Sequence, residues 1–321
     1  MQNSLLVAPT SRVGRYSDLL FRGRRSPSTP LLTDWSDVER FIENAGGEIK
    51  SGFIRWMTKN GSKRPDFAKW YDVYRGFRHE TLFAIKPDEI VTHVRRLASM
   101  TGEHALGTLK GKEQTSLIKN VTPTAPIMLS FHTVLELYQR PFLWSEFWSF
   151  HLENEDYFLR HALNTIGIST KARDVDFESS LDLRTIRYRL GMGFYTGWKE
   201  AFVLSVLRHI HGLDVRYHFF LDLEWKADLY AGDLLVEIFL NNETMKSVET
   251  ANGRLTSEMT GRKTPCSDRN PGKKVLVVAK DAENRFGSCW LHKRSEIDWM
   301  ASRLRAYGCP SIPGFPQPSL C

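Results

Sequence analysis

Two acidic residues, Asp228 and Glu237, lie in the segment Trp225-Lys-Ala-Asp-Leu-Tyr-Ala-Gly-Asp-Leu-Leu-Val-Glu-Ile-Phe239. Suppose Gly232 and Asp233 form a two-residue hairpin turn, which glycine at the first central position permits. Ala231 then pairs with Leu234, Tyr230 with Leu235 and Leu229 with Val236, and Asp228 falls opposite Glu237. Facing residues lie on one face with Cβ atoms about 4.5–5.5 Å apart. Carboxylates so placed repel each other. Glu237 also interrupts an otherwise apolar strand, where a lone ionised group is costly to bury. A divalent cation relieves both penalties. Hard oxygen ligands suit Mg²⁺ (or Mn²⁺), which keeps several waters and takes one or two carboxylates. Register decides the outcome, because a three-residue loop would turn Glu237 to the other face. In the plainer alternative, Asp228 sits at a strand end and Glu237 pairs with Lys226 or an arginine.

The elements around this segment follow from hydrophobic spacing. Trp198, Phe202, Val206 and Ile210, with Val203 and Leu207 alongside, form a helical stripe that Gly212 ends. Residues 214–223 are rich in β-formers and read as a strand. Residues 224–230 alternate, and 234–240 are apolar apart from one position. A polar helix is expected over about 243–255, a buried strand over 274–279 and an amphipathic helix over 295–307. The order is helix, three strands, helix, strand, helix.

This order, with its two acids, resembles the PD-(D/E)XK nuclease superfamily, the restriction-endonuclease-like fold, over about residues 195–307. In that family a helix carrying a glutamate precedes a hairpin whose first strand bears Asp and whose second bears Glu-x-Lys. Glu200 in Trp198-Lys-Glu-Ala-Phe-Val matches the helix glutamate, and Asp228 matches the Asp. Glu237-Ile-Phe239 stands where Glu-x-Lys is expected, with Val236 and Ile238 as apolar flanks. The resemblance implies an α+β protein: a mainly helical N-terminal region followed by a restriction-endonuclease-like domain with a central mixed sheet flanked by helices. It also implies a Mg²⁺-dependent DNA endonuclease, serving restriction, phage defence or mobile-element processing. Asp228 and Glu237 would hold the metal, with Glu200 orienting a ligand water or a second ion.

Phe239 replaces the lysine of the pattern. Two substitutes are visible in the sequence. Lys226 lies two residues before Asp228, hence on the same face. Lys246 falls early in the expected polar helix and could reach back. A cross-strand salt bridge is the alternative for Lys226, and a solvated helix face for Lys246. Glu200 has an alternative as well, since an acid in a helix's first turn is favoured by the macrodipole. The rival function is a catalytically inactive nuclease fold that binds nucleic acid or a protein partner within a larger complex.

Charge supplies candidate phosphate contacts. The chain has 44 Lys+Arg against 37 Asp+Glu, a net charge of +7 that permits an anionic partner. Arg262, Lys263, Arg269, Lys273 and Lys274 crowd residues 261–274 against Asp268 alone, and residues 1–30 carry Arg12, Arg15, Arg22, Arg24 and Arg25 against Asp18. Either segment would grip phosphates without reading sequence, or be a solvated loop or tail.

The expected divisions are a basic arm over 1–33, a mainly helical region over 34–190, a nuclease-like domain over 191–308 and a Pro-rich tail over 309–321. In the second division a helix starts at Asp37, with Ser36 and Glu39 at capping-box spacing and Gly46-Gly47 as its stop. Further helices are expected over 65–75, 87–100, 133–138 and 155–163, with loop or short strands over 101–126. The aromatics Trp56, Trp70, Tyr71, Tyr74, Trp144 and Trp148 read as core, with base stacking as the alternative.

Several classes drop out. Apolar content of 41% and charged content of 25% fit a globular chain and not a disordered one. No run approaches the roughly 18–20 apolar residues of a membrane span, and no secretory signal is visible. Four cysteines in 321 residues fit a reducing cytoplasm better than a disulfide framework. There is no dinucleotide fingerprint, Walker loop or His-Glu-x-x-His, and Gly191-Met-Gly193 is too short for a phosphate cradle. Cys266, Cys289, His292 and Cys309 could compose a zinc site, but no Cys-x-x-Cys anchors it. His209 and His211, at a helix end, read as structural or solvated rather than catalytic.

Overall fold

The computed structural model describes residues 35–44, 46–63, 67–100, 105–107, 109, 127–225, 227–232, 234–240, 274–280, 284–286 and 289–315. The fold is α+β and mostly helical, with a small three-stranded mixed sheet. Helices α1 (Trp35–Asn44), α2 (Gly46–Lys63), α3 (Phe67–Gly76), α4 (Glu80–Ala84), α5 (Pro87–Ser99), α6 (Ile127–Tyr138), α7 (Trp144–Glu153) and α8 (Leu159–Thr165) come first. Pro87 opens α5 where its missing N–H is harmless, and Glu89 reaches back to the N–H of Lys86 at 2.8 Å.

Two local expectations fail near the start. Helix α1 already begins at Trp35, so Ser36 lies inside its first turn, and Glu39 instead accepts the Trp35 indole N–H at 2.7 Å. Gly46-Gly47 does not stop the chain's helical run but opens α2. Of the expected core aromatics, Trp70, Tyr74 and Trp144 are buried, Tyr71 and Trp148 are partly buried against the same core, and the Trp56 side chain lies outside the described residues; Trp70 meets Tyr157 edge-on at 5.0 Å.

Helix α9 (Leu181–His209) is the spine. Ser180 caps it by accepting the Leu183 N–H at 3.3 Å. It packs against α4, α5, α6 and α7, and also against elements near the C-terminus. Close approach requires its glycines: a Cβ on Gly191 would lie 2.3 Å from the Ala105 carbonyl oxygen, and one on Gly197 would lie 2.5 Å from the Phe131 ring. Gly191 therefore serves packing. Helix α9 crosses residue 190, where the sequence reading divides the chain, and one hydrophobic core runs from Trp35 to Cys309 on both sides of it.

After α9, Gly212 (φ +63°) turns the chain, and residues 213–218 are extended. Isolated bridges tie Leu213 to Ser311 and Arg216 to Tyr230. An ion-pair chain holds this segment: Arg208 reaches Asp214 at 3.2 Å, and Arg216 reaches Asp214 at 2.9 Å and Asp37 of α1 at 2.6 Å. The strand expected over 214–223 stops at His218. The imidazole Nδ1 of His218 accepts the Phe220 N–H at 3.2 Å, and the chain turns into helix α10 (Phe219–Trp225). A side chain that takes a nearby backbone N–H competes with the sheet ladder.

Strands β1 (Leu229–Ala231) and β2 (Leu234–Leu240) form an antiparallel hairpin, and β3 (Lys274–Lys280) runs parallel to β2. Strand β2 is thus central, which explains its near-continuous apolar run. A separate ribbon pairs β4 (Asn284–Phe286) with β5 (Cys289–Leu291), unforeseen in the sequence, and α11 (Arg294–Ala306) follows. Residues 1–34, the expected polar helix over 243–255 and the basic loop up to Lys273 lie outside the described residues. Among the described residues, no helix is long and apolar enough to cross a membrane.

Candidate carboxylate site

The hairpin has the register that a two-residue turn requires: Ala231 faces Leu234, Tyr230 faces Leu235 and Leu229 faces Val236. Gly232 adopts φ +60°, the left-handed region that glycine occupies without strain. A three-residue loop is thereby excluded. Asp228 lies one residue before β1. Its Oδ2 accepts the N–H of Ile238, the residue after Glu237. Glu237 is only 4% exposed and sits in the central strand, level with Val277 of β3.

Glu200 comes from α9. Because that helix begins at Leu181, Glu200 lies about five turns inside it. The macrodipole acts within the first turn, so the dipole alternative for Glu200 is overturned. Glu200 is 7% exposed, and its Oε2 has no hydrogen-bond partner among the described residues. Burial raises its pKa well above the usual carboxylate range; the Lys199 ammonium opposes this, and the charges of Asp228 and Asp222 add to it. Lys199 Nζ stands 3.8 Å from Glu200 Oε1.

Two further groups join these acids. Asp222 arrives on α10. Tyr217, buried at the end of the extended segment, has its phenol pKa pushed up by burial and then by Asp222, Glu200 and Asp228. Its ring packs on His132 at 4.6 Å and His79 at 5.0 Å, which fixes its direction. The structure therefore gathers Glu200, Asp222, Asp228 and Tyr217 into one electrostatic cluster, with Glu237 at the adjoining strand position and Lys199 at the edge. Sequence reasoning missed Asp222, Tyr217 and Lys199. The signal for Asp222 was hidden by the switch from strand to helix at His218. The signal for Lys199 was its place beside Glu200 in the same helix.

The expected lysines are not brought to the site by anything described: Lys226 and Lys246 lie outside the described residues, as do Arg262, Lys263, Arg269 and Lys273. Lys274 opens β3 opposite Leu234, at the turn end of the sheet. Glu237 is three residues further along, about 10 Å at strand rise. His209 and His211 have structural partners, the Phe83 carbonyl at 3.0 Å and Asp298 at 2.8 Å. Cys289 and Cys309 are buried, and Cys266 lies outside the described residues.

The donor set suits a hard divalent cation: oxygen ligands only, excess negative charge, and a buried carboxylate oxygen without a partner. It is an open set and not a cage. Among the described residues, no group of three or more His, Cys, Asp or Glu side chains is arranged to hold a metal ion. Mg²⁺ takes one or two carboxylates and keeps its waters; Asp228, the neighbouring strand residue Glu237 and buried Glu200 are the residues that could hold it. Comparison with family models, curated proteins and solved structures found no significant match.

Proposed function

We propose that the chain is a Mg²⁺- or Mn²⁺-dependent nuclease that hydrolyses phosphodiester bonds, with DNA as the expected substrate. The observation that carries this reading is the hairpin register, which sets Asp228 beside the Glu237 position while Asp228 is electrostatically linked to buried Glu200. The order of elements supports a restriction-endonuclease-like core: a helix bearing the glutamate, an antiparallel hairpin bearing the two acids, then a strand parallel to the second hairpin strand.

Asp228 and Glu237 would bind the ion, and Glu200 would orient a water in its shell. Such an ion, when bound, lowers the pKa of water and offsets charge on a phosphoryl oxygen. The reaction forms a bond from the water oxygen to phosphorus and breaks one phosphorus–oxygen ester bond; the proton passes to the leaving oxygen or to solvent. Ile238 holds Asp228 through its backbone N–H, and the flanking Val236 and Ile238 are buried, so the carboxylate is fixed before substrate arrives. The basic residues of 261–274 and the N-terminal arginines would hold the phosphate backbone.

Phe239 in place of lysine favours a second reading, an inactive nuclease fold that binds nucleic acid or a partner protein. Incubation of supercoiled plasmid with Mg²⁺ or Mn²⁺ separates the two. The nuclease reading expects nicking by the parent and none by Asp228→Asn or Glu237→Gln. Tight DNA binding without cleavage by the parent selects the second reading.

A further inference from the structure

The pattern that Phe239 breaks leaves the carboxylates without their lysine on β2, but α9 sets a cation against Glu200. The Lys199 side chain is 13% exposed and its Nζ stands 3.8 Å from Glu200 Oε1. That distance is an ion contact and too long for a hydrogen bond, and among the described residues the ammonium makes no hydrogen bond. The neighbouring Glu200 Oε2 is buried and has no hydrogen-bond partner among the described residues. His292, just after β5, is fully buried, and its imidazole is held neutral chiefly by burial and then by the Lys199 charge. A lysine side chain buried in this way beside an acid cluster is unusual for a surface ion pair.

We propose that Lys199, and not Lys226 or Lys246, is the lysine of this site, placing its ammonium against the scissile phosphate and offsetting the negative charge that builds on the phosphoryl oxygens. The proposal rests on the nuclease reading and deepens it. In this role Lys199 acts through its charge alone; it transfers no proton and forms no bond. Adjacent helix positions point about 100° apart, so only the length of the lysine stem lets both residues reach one spot.

The test compares the full-length parent with Lys199→Met, Lys199→Arg, Lys226→Met and Lys246→Met. Plasmid cleavage is measured in Mn²⁺, and Mn²⁺ affinity by calorimetry. Lys199→Met is expected to lower kcat at least a hundredfold with KM within threefold. Its Mn²⁺ affinity stays equal or rises up to tenfold, because a positive charge has left the carboxylates. Lys199→Arg keeps at least a tenth of parental kcat, and the other two variants stay within threefold. Parental cleavage by Lys199→Met, or the hundredfold loss appearing in Lys226→Met or Lys246→Met instead, overturns the assignment while leaving the nuclease reading intact. Weaker Mn²⁺ binding by Lys199→Met also overturns it, since that marks a prop for Glu200. A parent that never cleaves overturns both. If circular dichroism shows Lys199→Met unfolded, Lys199→Gln, which keeps much of the stem, is judged by the same criteria.

Discussion

Glu136 and Glu200 sit in two different regions and solve the same problem in opposite ways. Glu136, on α6, accepts the Thr81 N–H at 3.0 and 2.8 Å and the Leu82 N–H at 3.2 Å, and so caps the start of α4 from a distant helix. Burial pushes its pKa up to about 7, against the pull of those N–H groups. Glu200 has a cation at 3.8 Å, an oxygen with no hydrogen-bond partner among the described residues, and acids for neighbours. An acid with a full set of donors has its work in the fold. A buried acid whose oxygen finds no donor among the described residues is the better candidate for a functional site.

The contrast breaks most sharply in catalysis. Glu200→Gln should lower the plasmid-cleavage rate about a thousandfold, roughly 4 kcal/mol in the barrier, while Glu136→Gln stays within twofold. Equal losses in the two variants would erase the distinction.

Buried histidines sharpen it next. His132 and His151 are pushed down to about 3 and His93 and His292 to about 4, in each case chiefly by burial. Their folded pKa values lie below the unfolded value of about 6.5. Their contribution is therefore whole above pH 6.5 and is lost as pH falls toward the folded value, up to roughly 3 kcal/mol each by pH 4. Urea midpoints measured from pH 7 to 4 should fall steeply, and His151→Phe should make the fall shallower. A raised carboxyl has the opposite sign. The neutral form of Glu200 favours the fold at low pH, and that advantage fades as pH rises through its elevated pKa.

Glu136→Ala should cost about 1–3 kcal/mol, because two backbone N–H groups of α4 lose their acceptor. Thermal unfolding measures this, and the Mg²⁺-induced rise in melting temperature should be unchanged. The smallest effect concerns ion affinity. Protons compete with metal at a carboxyl whose pKa is raised, so Mn²⁺ should bind more tightly as pH rises, by at most tenfold per unit. Calorimetry on Glu200→Gln should show a flatter profile.

The hairpin was legible because its information is local: a Gly-Asp turn between apolar runs sets the register, and the register sets which acids meet. Glu200 was legible only by its order before the hairpin. Its burial was not, because that depends on α9 starting at Leu181 and on glycines whose value lies in what they touch, Ala105 and Phe131. Asp222 was illegible for a single reason: residues 219–223 read as strand, and the imidazole of His218 turned them into helix. The doublet Gly46-Gly47 misled for a related reason, since a break between helices and the start of the next helix use the same residue.

Helix α9 has a consequence for how the molecule comes apart. Its 29 residues make a rod about 44 Å long. One part is wedged among α4, α5, α6 and α7, and the same rod carries Lys199 and Glu200 and touches β5 and α11. Amide hydrogens along the whole of α9 should therefore exchange with one opening free energy, close to that of global unfolding. A fragment starting at residue 191 would retain both acids of the hairpin but begin in mid-rod, with its first turn uncapped and its apolar face bare.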